Sequence, residues 1–359
     1  MWQNELTNGL GIQYPIIQAP MAGGPTTSKL VAAVSNAGGL GMIGAGYLTP
    51  SQLREQIQEV KQLTDKSFGI NLFVPSNYQQ EEQKIKKAKE LLSPIEKELN
   101  VALTPKIPTF EKDLDTFHEQ VRVVMEEQVP VCSFTFGLPS QEIIGHLKNN
   151  SIIVAGTATT VHEAILNEQA GMDFVVLQGS EAGGHRGTFE NNAEQGLIGL
   201  ISLIPQAADQ INIPIIAAGG IMDARGALAA KCLGAHAVQL GTAFLVCEES
   251  GASPLHKEAI IKASEDQIVL TKAFSGKMAR GVNNRFIETM KKNEHELPPY
   301  PIQNELTKGI RKASSLYGNP EFISLWAGQS PRLAKSLTVQ ELINQFIQDT
   351  ETLKNRLSF

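Results

Sequence analysis

Short apolar runs, each closed by glycine or a polar residue, alternate along this chain with longer stretches in which apolar residues return every three or four positions. The first pattern reads as buried strand and the second as amphipathic helix. YPIIQ (14–18) predicts a first strand, and Ser28 predicts the cap of a helix over 28–38 that Gly38 and Gly39 end. A second strand falls on 40–43. The loop GAGYLTP then leads to a helix with Pro50 at its first position and Leu53, Ile57, Val60 and Leu63 on one face. FGINLFV (68–74) is the third strand.

Between 75 and 109 the rhythm breaks at a long, weakly amphipathic helix over 79–100 that Pro94 interrupts, which reads as an insertion over the mouth of the fold. Helix 111–128 restores it with Leu114, Phe117, Val121, Val124 and Met125 as the buried face. Strands follow at 129–136, 151–157, 173–178, 214–220 and 237–244, separated by helices at 139–149, 159–170, 196–210 and 223–233. Eight such units make each helix a crossover between parallel strands. The expected fold class is α/β, a (β/α)8 TIM barrel with helical insertions capping its C-terminal mouth. An open doubly wound sheet is the alternative, although no GxGxxG follows the first strand. The expected division is a barrel from 1–74 and 110–250, an insertion at 75–109, a cap at 251–335 and an outer helix at 336–359. Within that last segment, the helix 339–353 carries Leu342, Ile343, Phe346 and Ile347 on one side.

Composition narrows the function. Of 359 residues 42% are hydrophobic and 19% charged, with a net charge of −6, which suits a large packed core and leaves no basic stripe for nucleic acid. The amino terminus lacks a basic and an apolar signal region, and no apolar run approaches the ~18 residues of a membrane span. The expectation is a cytoplasmic protein with no membrane partner. Cys132, Cys232 and Cys247 are widely spaced among apolar neighbours and read as buried reduced thiols, with neither a disulfide frame nor a metal site.

The chemistry concentrates in DFVVLQGSEAGGHRGT (173–188), where a buried strand runs into a glycine-rich loop carrying His185. Barrels place their chemistry at such carboxyl ends of strands, and an imidazole there titrates near neutrality unless its surroundings shift it. Gly219 and Gly220 at the end of the seventh strand, beside a helix starting at Asp223, and Gly241 and Thr242 at the end of the eighth, predict a phosphate grip. The alternative is that these glycines only allow tight helix–strand packing. Asn71, Gln178 and Gln239 offer paired amides for the edge of a uracil-like ring, and Met21 offers a thioether to a flat aromatic system. Flavin mononucleotide (FMN) fits these parts.

The motifs PIIQAPMAGG (15–24), GINLFVP (69–75), LQGSEAGGHRG (177–187), IIAAGGI (215–221), QLGTAF (239–244) and PYPIQNELTKG (299–309) occur in this order over essentially the whole length. In them the chain resembles the bacterial class I nitronate monooxygenases, formerly called 2-nitropropane dioxygenases. The resemblance implies an FMN-dependent barrel enzyme that oxidises alkyl nitronates with O2 to carbonyl compounds and nitrite, without nicotinamide or metal. It implies FMN contacts from Met21, Asn71, Gln178, Gly183, Gly220 and the run Gln239, Leu240, Gly241 and Thr242, with His185 facing the substrate as the catalytic residue. Tyr300 and Lys308 match the carboxyl-terminal motif and are expected on the substrate side, Lys308 adding positive potential. One departure stands in the fourth strand, where a pattern like SFHFGLP is expected and this chain has Thr135 in place of the histidine. An FMN-dependent NAD(P)H reductase of quinones or enoyl thioesters is the enzymatic alternative, a flavin-storage protein the non-enzymatic one, and a homo-oligomer stays open.

Overall fold

The computed structural model describes residues 2–190 and 194–357. Eight parallel strands form one sheet: β1 (Ile16–Gln18), β2 (Gly41–Gly44), β3 (Phe68–Phe73), β4 (Val131–Thr135), β5 (Ile153–Ala158), β6 (Phe174–Gln178), β8 (Ile215–Ala218) and β9 (Ala237–Leu240). Their order is β1-β9-β8-β6-β5-β4-β3-β2. The seam between β1 and β2 is closed by a parallel bridge of Ile17 with Leu40, with Gln18 N–H donating to Leu40 O at 2.9 Å and Leu40 N–H to Ile16 O at 3.0 Å. The result is the expected TIM barrel.

Helices ring the sheet because each presents one apolar stripe. Leu53, Ile57 and Val60 of helix Pro50–Leu63, and Phe117, Val121 and Val124 of helix Phe110–Glu126, are buried in a single cluster with Ile70, Leu72 and Phe134 of the strands. Inside the barrel a separate cluster joins Ile17, Met42, Val131, Ala155, Val176 and Ile216, and it is plugged by Leu6 and Leu10 of a short helix, Glu5–Leu10. Each plug leucine contributes about 1.5–3 kcal/mol by leaving water. That helix begins in a capping box, the Asn4 side chain accepting from Thr7 N–H while the Thr7 hydroxyl accepts from Asn4 N–H.

Several elements depart from expectation. Thr27, not Ser28, caps helix Ser28–Asn36, because it is Thr27 whose hydroxyl accepts from Leu30 N–H. The insertion helix Glu82–Glu98 runs through Pro94 unbroken, held by burial of Ala88, Leu92 and Ile95 on either side of it. The last barrel strand ends at Leu240, and Thr242–Leu245 form a helical turn where the sequence suggests continued strand. Helix Leu200–Ala208 starts at residue 200, four later than expected. Cys132 and Cys247 are buried, but Cys232 is exposed. The last helix is Val339–Leu357.

Above the carboxyl ends of the strands sits a second, three-stranded antiparallel sheet of β7 (Gly184–His185), β10 (Ile268–Thr271) and β11 (Ala279–Val282). Helix Glu82–Glu98 shares one apolar cluster with Phe274, Phe286, Ile302, Leu306 and Phe322, so the insertion and the cap pack as one lobe over the mouth. Among the described residues no helix is long and apolar enough to cross a membrane.

Candidate active site

One pocket opens at the carboxyl ends of the barrel strands, and Met21, Asn71, Gln178, Gly183, His185, Gly220, Gln239, Gly241 and Thr242 all line it. Leu240 does not. Its side chain points into the apolar layer between strands and helices, as alternation along β9 requires once Gln239 faces inward.

On the side of β8 and β9 the wall is backbone. Gly219 and Gly220 have φ of 139° and 63°, values that glycine takes without steric cost. Among the described residues, the N–H groups of Gly220, Ile221, Gly241 and Thr242 make no hydrogen bond. They form a cradle for an anion. The neighbouring helix Ala224–Cys232 is not itself the anion site, because Asp223 caps it, its carboxylate accepting from Arg225 N–H at 2.9 Å and Gly226 N–H at 3.5 Å.

Opposite the cradle stands His185, held by the small sheet. Residues 184 and 185 pair with Arg280 and Ala279 of β11, and Arg186 N–H donates to Met278 O at 2.9 Å. A Cβ on Gly183 would lie 2.5 Å from Ala327 C and 2.6 Å from Gly328 N, so only glycine lets the loop pass under the cap. The Gln178 amide is spent on the same loop, Nε2 donating to His185 O at 3.0 Å and Oε1 accepting from Gly187 N–H at 2.8 Å. Fully buried Arg186 ties the loop down from below through Gln178 O, Gly179 O and Gly196 O. Gln239, by contrast, makes no side-chain hydrogen bond within the described residues and lines the pocket.

His185 Nε2 lies 2.8 Å from Ser275 Oγ, and that hydroxyl donates to Lys277 O at 3.0 Å. Ser275 has one proton and it is committed, so the network assigns the histidine proton to Nε2 and leaves a lone pair on Nδ1. Burial, with the positive charges of Lys277 and Arg311 adding to it, pushes the imidazole down to about 3. The ring is therefore neutral across the physiological range. Rings of Trp326 at 5.4 Å, Tyr300 at 5.9 Å and Phe136 at 6.0 Å surround it. Phe136 reaches this place from a left-handed backbone with φ of 75° just past the end of β4. At the neighbouring position Thr135 joins a chain of neutral groups, accepting from Asn71 Nδ2 at 3.1 Å and lying 3.3 Å from the Thr157 hydroxyl.

Of the two substrate-side residues expected from the carboxyl-terminal motif, Tyr300 is packed on His185 and Phe136. Lys308 is not at the pocket; its side chain is 67% exposed and pairs with Glu305 at 3.3 Å on the solvent face of helix Ile302–Leu316. The positive charge instead comes from Lys277, whose ammonium donates to Thr188 O at 3.1 Å and lies 4.7 Å over the Phe136 ring. Desolvation lowers it to about 8. Arg311 is a second cation nearby. Neither is singled out by the sequence motifs, and Tyr47, which also lines the pocket, could have been found from its place just beyond the second strand.

Fold and pocket together define an α/β-barrel enzyme whose site lies between the strand ends and a cap lobe. The family model of nitronate monooxygenase matches residues 3–349. The probable nitronate monooxygenase of Staphylococcus haemolyticus is 52% identical over 356 residues, 98% of this chain and 99% of its own length. That of Staphylococcus aureus strain Newman is 52% identical over 349 residues, 97% of each chain. Among solved structures, nitroalkane oxidase from Streptomyces ansochromogenes superposes with a TM-score of 0.91 at 37% identity, over 99% of this chain and 100% of that one. FabK from Thermotoga maritima superposes with a TM-score of 0.79 at 32% identity over 99% of both chains. The chain belongs to the nitronate monooxygenase family, and it is an oxidoreductase that oxidises nitronates.

Proposed function

We propose that this enzyme is FMN-dependent and converts alkyl nitronates, such as propionate 3-nitronate, with O2 into carbonyl compounds and nitrite. The single observation that carries the cofactor is the cradle of unpaired N–H groups at Gly220, Ile221, Gly241 and Thr242, which suits one terminal phosphate. Asn71 and Gln239 add polar side chains along the same pocket and Met21 an adaptable apolar one. When bound, the flavin supplies the electron acceptor for the nitronate carbon and the route of those electrons to O2.

The chain's own residues position the anion and handle one proton. A nitronate is already electron-rich at carbon, so orientation and electrostatics dominate its turnover. Lys277 holds a positive potential over the wall where His185 and Phe136 stand, and the aromatic rings exclude water from it. For a neutral nitroalkane, Nδ1 of His185 accepts the proton on carbon; the imidazolium that forms is then balanced by the nitronate beside it. Ser275 fixes the tautomer that makes this nitrogen the base.

A flavin-dependent NAD(P)H reductase is the second reading, since the same anion cradle would hold its flavin. Mixing the FMN-loaded protein with NADH under anaerobic conditions separates the two: unchanged flavin absorbance is expected, and rapid bleaching would favour the reductase.

A further inference from the structure

The cap lobe reaches the anion cradle through residues 326–330, and both Gly328 and Ser330 line the pocket. Hydrogen bonds hold this segment along its length. His256 Nε2 donates to Trp326 O at 2.9 Å, Ala327 N–H to Arg280 O at 3.3 Å and Gln329 N–H to Glu181 O at 3.0 Å, which fix it to the cap and to the loop that carries His185. Two more bonds end on the cradle itself. Gly328 N–H donates to Thr242 Oγ1 at 2.9 Å, and Ser330 Oγ donates to Gly220 O at 2.9 Å.

Each of these last two bonds settles where a donor points. A trans peptide is planar with its N–H directed opposite to its C=O, so the bond from Ser330 to Gly220 O also fixes the direction of the Ile221 N–H, a donor of the cradle. The restraint matters because Gly219 and Gly220 both have positive φ, and a peptide next to glycine can rotate and present its carbonyl to the anion instead. Thr242 is set in a similar way. Its hydroxyl accepts from Gly328 N–H and donates to no group among the described residues, so its one proton is left for a ligand. We propose that residues 328–330 of the cap belong to the phosphate site, with Ser330 as a positioning residue that keeps the Gly220–Ile221 peptide turned N–H toward the anion and Gly328 orienting the Thr242 hydroxyl. The ligand class is a phosphate monoester, and the inference rests on the FMN reading of the pocket. The barrel loops alone do not complete the grip, and the phosphate is held between barrel and cap.

The test compares the affinities of FMN and riboflavin, which differ only in the phosphate, for the flavin-stripped parent, Ser330→Ala and Ser330→Thr, read by flavin fluorescence. In Ser330→Ala, FMN should bind about 3- to 10-fold more weakly, in line with loss of one neutral hydrogen bond, while riboflavin should change by less than about twofold. Ser330→Thr, which keeps the hydroxyl, should bind FMN within about twofold of the parent. A fall shared equally by both flavins would make Ser330 a structural residue of the cap, and no fall for either would show that the peptide needs no latch; each result overturns the assignment. A threonine variant as weak as the alanine one would also overturn it. Should riboflavin bind too weakly to measure, competition of inorganic phosphate against FMN replaces it: the inhibition constant of phosphate should rise in Ser330→Ala, and an unchanged constant overturns the assignment. A parent that binds riboflavin as tightly as FMN would sink the phosphate reading of the cradle itself, and the role of Ser330 with it.

Discussion

Gly220→Asp probes the place on which the cofactor assignment depends. The residue has φ of 63°, and a Cβ there would lie 3.0 Å from Glu181 Cβ, an atom fixed by its backbone, so the loop must shift by a few tenths of an ångström to admit it. Strain of about 1–2 kcal/mol for leaving glycine in the left-handed region is small against a typical folding stability of about 5–15 kcal/mol, so the barrel should still form. The ligand site fares worse. Losing two N–H contacts to a phosphate costs about 1.5–3 kcal/mol each, and a carboxylate about 4 Å from the phosphate adds repulsion of a few kcal/mol at an effective dielectric near 20. Affinity for FMN should fall by about 10²-fold at least, enough for the variant to purify colourless. The assay is flavin content after purification, followed by titration of the stripped protein with FMN under fluorescence, with circular dichroism as the check on folding. Gly220→Ala separates the terms, since it carries the strain without the charge and should lose far less affinity. A folded Gly220→Asp with parental affinity would refute the reasoning and put the phosphate elsewhere.

Three further outcomes follow from the site. His185→Asn should fold and retain FMN, yet turn over neutral nitroalkanes roughly 10²-fold more slowly, with preformed nitronates affected less; oxygen uptake on both classes reads the difference, and an equal loss on both would remove proton abstraction from its role. Because His185 stays neutral down to about pH 3, it should contribute no acid limb to the rate profile between pH 5 and 8, whereas Lys277, charged only below about 8, should make KM for nitronates rise as the pH passes upward through 8. Lys277→Gln should raise KM and flatten that rise, and a KM independent of pH in the parent would count against the lysine. Lys308→Ala, on an exposed side chain, should leave kcat/KM within about twofold for any nitronate.

Much of this architecture could be read from the chain because it is periodic. Each barrel unit is local, a buried strand followed by a helix with a clean apolar face, and glycines mark the strand ends where ligands approach. Gln178, Gly220 and Gln239 were placed at the pocket by that logic alone. What escaped depends on distant pairing. The two-residue strand carrying His185 exists only because Ala279 and Arg280 lie beside it, and no window around residue 185 contains that partner. Lys308 and Arg311 sit three residues apart on one helix, and which of them turns inward is decided by packing against the barrel mouth rather than by composition. Leu240 misled for a simpler reason, since a motif names neighbours while a strand sends alternate side chains to opposite faces. Pro94 was read as a break, but a helix buried on both sides of a proline can absorb the lost hydrogen bond.

The most direct test of the whole account is a paired measurement of oxygen uptake and nitrite release by the FMN-loaded protein given propionate 3-nitronate in the absence of any nicotinamide. The account predicts that both proceed together, with nitrite appearing as oxygen is consumed. No oxygen uptake and no nitrite from this or any short alkyl nitronate, in a protein that holds FMN and is rapidly reduced by NADH, would contradict it.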